Sequence, residues 1–282
     1  MNWRGFLSRI ALVAVAFPVL AALIFLVPQA SHLGFNIVVL IVSVIGGLET
    51  AALFHARGIP TSRYLAAALS ATIPAGTYLE VVGLVPVGWM GVWVPFLLAV
   101  LLVRGILFQG RKELPSILAF VSSSTLTLLY PGFFMSWIVR LSGLQQPSVT
   151  ILFYLCLVFG NDMSAYFAGS LWGESTRLGL PISPQKSVVG FGAGLVGSLI
   201  IVSFFLPVRG FLPYPPAGSY LLGVVVGLVV MLGDLLESGL KRSAGVKDSG
   251  IVIPGRGGVL DSVDSMVLSA PLFYYAFVLA GR

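Results

Sequence analysis

SGLKRSAGVKDSGIVIPGRGGVLDSVDS, residues 238–265, concentrates charge in a chain that otherwise has very little. Its 28 positions hold four cations and three aspartates, whereas charged residues make up only 9% of the whole sequence. Just upstream, Asp234 and Glu237 add two acids inside an apolar run. Because the apolar runs on both sides must be helices in a membrane, this stretch predicts a helix end, a polar loop and a helix start, and it indicates a functional site.

The composition excludes most soluble protein classes. Apolar residues make up 57% of the 282 positions and the mean hydropathy is +1.02, whereas soluble domains contain roughly 45–50% apolar residues. Runs of about 20 apolar residues, the length needed to cross a bilayer, recur along the chain. The predicted fold class is therefore all-α, a polytopic integral membrane protein with about nine transmembrane helices. The single cysteine, Cys156, excludes an internal disulfide.

Hydropathy also predicts the domain organisation and the orientation. The chain is predicted to be one membrane domain, 1–282, with scaffold helices in 1–148 and catalytic helices and loops in 149–282. The nine predicted spans are 9–28, 34–55, 64–84, 88–108, 116–140, 149–172, 188–208, 219–240 and 259–280. The first is too long for a typical signal peptide and is expected to be retained.

Lysine and arginine fall mostly on one set of loops. With the N-terminus inside, 13 of the 16 cations flank the inner ends of the helices, and only Arg140, Arg209 and Arg282 flank the outer ends. Such a bias marks the cytoplasmic side. The sequence therefore predicts a multi-pass cell-membrane protein with the N-terminus and the charged loop in the cytoplasm and the C-terminus on the opposite side. The net charge of +6 then reflects orientation and anionic headgroups, not nucleic acid binding.

Six acids fall within or at the ends of predicted helices, where an isolated charge costs at least about 2.5 kcal/mol near the bilayer centre. They are Glu49, Asp162, Asp234, Glu237, Asp261 and Asp264. Asp234 and Glu237 share a helix face, as do Asp261 and Asp264, because each pair is three residues apart. With Asp248 in the loop between them, these acids are expected to converge at the cytoplasmic surface. Carboxylates so close together need a cation, and Mg²⁺ is commonly bound by a few carboxylates and substrate phosphates.

Cations and glycines in the same region complement the acids. The cations are Lys186, Lys241, Arg242, Lys247 and Arg256, and the glycines that let backbone amides approach a ligand include Gly257 and Gly258. This combination suits a phosphate-rich substrate, because phosphoryl transfer needs alignment and charge neutralisation more than covalent help. A simpler interpretation is a positive-inside loop with a few ion pairs.

Other polar and glycine positions leave alternatives open. Asp162 is either a metal ligand or a partner of Lys186. The hydroxyls of residues 122–125 either line a polar path or bond back to the preceding helical turn. Four glycines, Gly190, Gly192, Gly194 and Gly197, predict a close-packed helix face, and glycine-rich helices are compatible with a homodimer.

The motifs resemble those of the phosphatidate cytidylyltransferases, the CDP-diacylglycerol synthases, over roughly residues 160–270. The matching positions near the end are Gly233-Asp234, Glu237, Ser238, Lys241-Arg242, Lys247-Asp248, Gly250, Pro254, Gly257-Gly258, Asp261 and Asp264. Earlier matching positions are Asp162, Ala165-Tyr166, Gly169, Ile182-Ser183-Pro184 and Lys186-Ser187.

This resemblance implies an enzyme that joins CTP to phosphatidate in the bilayer with Mg²⁺, with room for a second cation. It implies a catalytic set of Asp234, Lys241, Arg242, Lys247, Asp248 and Asp261. Metal ligands would be Asp234, Asp248, Asp261 and Asp264, with Asp162, Glu237 and Ser238 in support. Phosphate contacts would come from Ser183, Lys186, Ser187, Arg256, Gly257 and Gly258.

The chain departs from the family pattern at three positions. The family usually has histidine where this chain has Arg256, arginine where it has Ser262, and glutamate where it has Val189. The first two changes exchange one cation for another, whereas Val189 removes an acid near the proposed site. Two alternative functions also fit the pattern: a cation-coupled transporter or channel, and a CTP-dependent enzyme similar to polyprenol kinases.

Overall fold

The computed structural model describes residues 3–107, 116–208, 210–253 and 257–280, with the side chains of 3–14 and 116 left out. The helices in these ranges are α1 Trp3–Leu26, α2 Gln29–His55, α3 Arg63–Val81, α4 Met90–Leu107, α5 Ser116–Thr127, α6 Met135–Arg140, α7 Pro147–Trp172, α8 Val188–Phe205, α9 Pro216–Ala244 and α10 Leu260–Ala280. A π-helical segment, Leu128–Phe134, joins α5 to α6. Eight of the nine predicted spans each overlap one α-helix, and the span 116–140 comprises α5, the π-helical segment and α6, so the all-α prediction is confirmed.

Seven helical segments in the described ranges are long and apolar enough to cross a membrane. They are Gln29–His55, Met90–Leu107, Ile117–Gly143, Pro147–Trp172, Val188–Phe205, Pro216–Ala244 and Leu260–Ala280. The apolar part of α1, Val15–Leu26, is shorter, and α3 carries Arg63 and Glu80 near its two ends. The chain is therefore a multi-pass membrane protein.

The helices group into two compact units. The first unit comprises Met1–Pro28, Leu144–Gly239 and Val263–Arg282, and the second comprises Gln29–Gly143 and Leu240–Ser262. Both α9 and α10 therefore contribute residues to each unit. The predicted division into scaffold and catalytic halves stays a prediction.

Aromatic side chains fill the core of the first unit. Phe153 is fully buried and contacts Phe205, Phe211 and Phe273 at ring-centroid distances of 4.7, 5.6 and 5.8 Å. The buried Tyr154 hydroxyl donates a hydrogen bond to the Met266 carbonyl at 2.7 Å. These contacts hold α7, α8 and α10 together by burying aromatic surface and by giving the Tyr154 hydroxyl a hydrogen-bond acceptor.

Glycines set the close approach of α7 and α8. A Cβ atom at Gly197 would lie 3.1 Å from the Gly160 carbonyl, and one at Gly194 would lie 3.3 Å from the Ala165 Cβ and 2.7 Å from the Met231 Cε. The predicted close-packed face is confirmed for Gly190, Gly194 and Gly197. Gly192 does not belong to it, because a Cβ there would meet no atom within 4 Å. Gly192 is two positions from both Gly190 and Gly194, and in a helix with 3.6 residues per turn this spacing places it on the opposite face.

A buried ion pair between Arg140 and Glu80 joins α6 to α3 in the second unit. Arg140 donates two hydrogen bonds to Glu80, from Nη1 to Oε1 at 3.0 Å and from Nη2 to Oε2 at 2.6 Å, with side chains only 12% and 4% exposed. Such two-point pairing satisfies both charges inside an apolar core. Nearby, Ser43 donates to the carbonyl of Pro131, which lies in the π-helical segment.

Three hydrogen bonds in this unit bear on sequence expectations. Among residues 122–125, the Ser123 hydroxyl donates to the Phe120 carbonyl at 3.0 Å, as the back-bonding alternative expects. One turn further on, the Thr127 hydroxyl donates to the Ser123 carbonyl at 2.8 Å. Arg57 donates from Nε to the Ser243 carbonyl. The loop after α2 and the end of α9, both predicted to flank the inner surface, therefore lie together.

Candidate active site

The candidate site in the second unit is built on the last turn of α9, the loop after it and the first turn of α10. Lys241 from α9 forms an ion pair with Asp261 from α10, and their side chains are 12% and 5% exposed. They are 20 positions apart in the sequence, and the residues between them form a loop rich in glycine and charge. Two residues of the predicted catalytic set are thus brought together.

Asp261 is held by more than its lysine. Its Oδ2 atom accepts hydrogen bonds from the Ser249 amide at 2.9 Å, the Ser249 hydroxyl at 2.9 Å and the Gly258 amide at 2.7 Å. A carboxylate offers about four lone-pair directions over its two oxygens. Three donors occupy Oδ2, whereas Oδ1 accepts from the Lys241 ammonium and keeps room for a further electropositive partner.

Gly257 brings a second acid to the same place. Its φ of +110° is a conformation that glycine adopts readily and other residues rarely do. A Cβ atom there would lie 2.7 Å from Asp261 Oδ2 and 2.9 Å from the Asp248 Cβ. The exposed Asp248 and the Asp261 side chain, which is 5% exposed, therefore both lie beside the position that a Gly257 side chain would occupy. The Gly257 backbone is fixed by paired hydrogen bonds with Ile253 at 2.8 and 3.0 Å.

Glu49, from α2, completes this cluster although the predicted site did not include it. It is 6% exposed, and its carboxylate accepts hydrogen bonds from the Val259 and Leu260 amides, both at 2.8 Å, and lies 3.0 Å from the Ser249 hydroxyl. The available signal was an acid within an apolar span. Ser249 was missed because nothing marks a serine beside Asp248.

Two other predicted cations of this unit, Arg242 and Lys247, lie at its surface. Both are exposed, and Arg242 donates to the Val246 carbonyl at 3.3 Å. Arg256 and Pro254 lie outside the described residues. Exposed cations beside a glycine-rich loop suit the recruitment of a phosphate group.

The first unit holds the second group of predicted residues, centred on an ion pair between Lys186 and Asp234. Their side chains are 24% and 29% exposed. Ser238, one turn further along α9, lies 3.5 Å from Asp234 Oδ1. The structure therefore pairs Lys186 with Asp234, and both remain accessible.

Acids on α7, α9 and α10 lie deeper in this unit. Asp264 accepts hydrogen bonds at Oδ1 from the Ser265 amide at 2.6 Å and its hydroxyl at 3.2 Å. The same hydroxyl lies 3.3 Å from Asp162 Oδ1. Asp264 is 6% exposed and Glu237 is fully buried. The supporting role of Asp162 and Glu237 stays a prediction.

The segment before α8 has a clear local structure. Ser187 is the N-cap of α8, and its buried hydroxyl accepts a hydrogen bond from the Gly190 amide at 3.1 Å. Ser183 lies in a tight turn in which its amide donates to the Leu180 carbonyl at 3.0 Å. Val189, where the family usually has an acid, is half-buried in the first turn of α8. The phosphate contacts of Ser183 and Ser187 stay predictions.

The carboxylates of the second unit fit a magnesium ion that is completed by substrate phosphates. Over the ranges listed above, no three side chains of histidine, cysteine, aspartate or glutamate form a self-sufficient metal cluster. Mg²⁺, however, is usually bound by one or two carboxylates together with phosphate oxygens and water. Asp248 and Asp261, which both lie beside the Cβ position of Gly257, provide such a pair. Asp234 and Asp264 as further ligands stay predictions.

Comparisons with known proteins show the family to which the chain belongs. The chain is 38% identical over 156 residues to the phosphatidate cytidylyltransferase of Bacillus subtilis (55% of this chain and 57% of the relative). It is 39% identical over 205 residues to that of Synechocystis (62% and 67%) and 36% identical over 154 residues to that of Aquifex aeolicus (54% and 55%). The aligned part thus spans about half to two thirds of these relatives. The profile of the cytidylyltransferase family matches residues 7–280, well beyond the region of motif resemblance, and the chain belongs to that family.

Proposed function

We propose that this protein is a phosphatidate cytidylyltransferase, which condenses CTP with phosphatidate to form CDP-diacylglycerol and pyrophosphate. The observation that carries the proposal is the cradle at Gly257, where Asp248 and Asp261 meet beside Lys241. Membership of the cytidylyltransferase family and the names of the relatives support the choice of CTP and phosphatidate.

The reaction places modest demands on the protein. An oxygen of the lipid phosphate forms a bond to the α-phosphorus of CTP, and the bond from that phosphorus to the bridging oxygen of pyrophosphate breaks. A phosphate monoester has a second pKa of about 6, so its oxygens are mostly deprotonated at pH 7. No side chain is needed as a general base, and alignment and charge neutralisation account for most of the catalysis.

The charged residues of the second unit would each have a role in this reaction. Asp248 and Asp261 would hold Mg²⁺, which supplies positive charge to the nucleotide phosphates when bound. Lys241 fixes Asp261 in place and lies next to the phosphates. Arg242 and Lys247, both exposed, attract and orient the triphosphate.

The first unit holds a second predicted pair, Lys186 and Asp234. Because this pair is partly exposed, Lys186 can exchange its carboxylate partner for a substrate phosphate. The apolar spans keep the acyl chains of phosphatidate in the bilayer while its headgroup reaches the loop. We further propose that this loop faces the cytoplasm, where CTP is available, as the distribution of lysine and arginine indicates.

Two positions of the label in CTP test the proposal. Purified protein is incubated in detergent with phosphatidate, Mg²⁺ and CTP labelled with ³²P at either the α- or the γ-phosphate. We expect a labelled lipid from α-labelled CTP only. Label transferred from the γ-phosphate would mean a CTP-dependent kinase, and no labelled lipid together with cation flux in liposomes would mean a transporter.

A further inference from the structure

We infer that Glu49 is a positioning residue that fixes the start of α10 and Ser249, so that Asp261 and Asp248 face the same point at Gly257. Its catalytic consequence depends on the proposed cytidylyltransferase activity, whereas the positioning itself does not. Glu49 lies on α2, 200 residues before Ser249, and is buried within the second unit.

The start of α10 needs a partner from elsewhere. The first amides of an α-helix have no acceptor within the helix, and a polar N-cap side chain usually satisfies one of them. Here the residue before α10 is Val259, which has no polar side-chain atom. Glu49 accepts the Val259 amide at Oε1 and the Leu260 amide at Oε2, both at 2.8 Å, and its negative charge is favourable at a helix N-terminus.

The loop backbone closes around this carboxylate. A Cβ atom at Gly250 would lie 2.5 Å from Glu49 Oε1, and one at Gly258 would lie 2.5 Å from Oε2. Only glycine gives the loop this approach at both positions. Glu49 therefore determines the path of the backbone on each side of the segment that carries Gly257.

Ser249 connects Glu49 to the reacting centre. Its hydroxyl lies 3.0 Å from Glu49 Oε2 and 2.9 Å from Asp261 Oδ2, and its amide donates to Asp261 Oδ2 at 2.9 Å. A residue that orients a metal ligand in this way commonly changes metal affinity or activity 10- to 100-fold when it is replaced. Glu49 thus acts on the reaction through Ser249 and the first turn of α10.

Replacement by glutamine separates this role from a general contribution to folding. Glu49→Gln keeps the size of the side chain, but its amide group cannot accept a hydrogen bond and would face one of the two backbone N–H groups. Glu80→Gln is the matched control, since Glu80 is also a buried acid of the second unit but belongs to the ion pair with Arg140. Glu49→Asp retains both oxygens on a shorter chain and serves if the glutamine variant does not fold.

Amide exchange and kinetics are measured on the full-length protein. We expect Glu49→Gln to raise hydrogen exchange at residues 257–262 about 10- to 100-fold and to lower kcat by a similar factor, with KM for CTP within about threefold of wild type. Glu80→Gln should leave exchange at these residues unchanged. Equal exchange at 257–262 in wild type and Glu49→Gln, or equal losses of kcat in the two glutamine variants, would overturn the inference. If wild type forms no labelled lipid, the proposed function fails, but the exchange comparison still decides whether Glu49 positions the start of α10.

Discussion

Lys241 and Asp261 form a buried ion pair that joins the end of one helix to the start of the next, with side chains 12% and 5% exposed. Neither charge could remain at such low exposure without the other, because burying an unpaired charge is costly. The pair therefore fixes the geometry of the loop between them, in which Asp248, Ser249 and Gly257 lie.

Removing the cation of this pair should destabilise the protein strongly. Lys241→Met leaves Asp261 buried without its partner, which typically costs about 3–5 kcal/mol. Arg242→Met is the matched control, since the exposed neighbour should change stability by only about 0.5 kcal/mol. Thermal unfolding in detergent measures both variants. Equal melting temperatures would show that the Lys241–Asp261 pair does not stabilise the loop.

A methyl group at position 257 should disrupt the cradle of carboxylates. Gly257→Ala would place its Cβ 2.7 Å from Asp261 Oδ2 at a φ of +110°, so we expect about a 100-fold loss of kcat from the misplaced carboxylates. Gly245→Ala carries a comparable backbone strain at a φ of +77° but meets no atom within 4 Å. An activity loss of the same size in both variants would assign the effect to strain alone.

Large side chains on α8 should destabilise the protein only on the side of the helix that packs against α7. Gly197→Leu would crowd Ser164 and the Gly160 carbonyl and should cost about 1–3 kcal/mol. Gly192→Leu enters open space and should leave the melting temperature nearly unchanged. Equal destabilisation by the two leucines would contradict the helix interface described above.

Cysteine labelling should reveal the orientation. In a Cys156→Ser background, the exposed positions in Ala56→Cys and Lys247→Cys should react with an impermeant maleimide from the cytoplasmic side, and Val87→Cys from the opposite side. The contact between Arg57 and Ser243 already places the first two regions together. Labelling of positions 56 and 247 from opposite sides would contradict the predicted topology.

Local sequence patterns predicted the helices and the charged loop, because membrane spans and cation bias are properties of contiguous segments. They also placed Lys241, Asp248 and Asp261 in one site, with the help of the family motif. They could not predict the contact between Glu49 and Ser249. These residues are 200 positions apart in the sequence, and the contact depends on how α2 packs against the loop. The 3.6-residue period would have separated Gly192 from Gly190 and Gly194, but the prediction grouped the glycines together. No sequence pattern placed the π-helical segment around Pro131.

The most direct test of the central claim is transfer of the α-phosphate label from CTP to phosphatidate by wild type and by Asp248→Asn and Asp261→Asn. Glu174→Gln, an exposed acid outside the site, is the control. The account predicts a labelled CDP-lipid with wild type and Glu174→Gln, and a loss of at least about 100-fold with either asparagine variant, because each removes a carboxylate that would hold Mg²⁺. Full activity in both asparagine variants, or no labelled lipid with wild type, would contradict it.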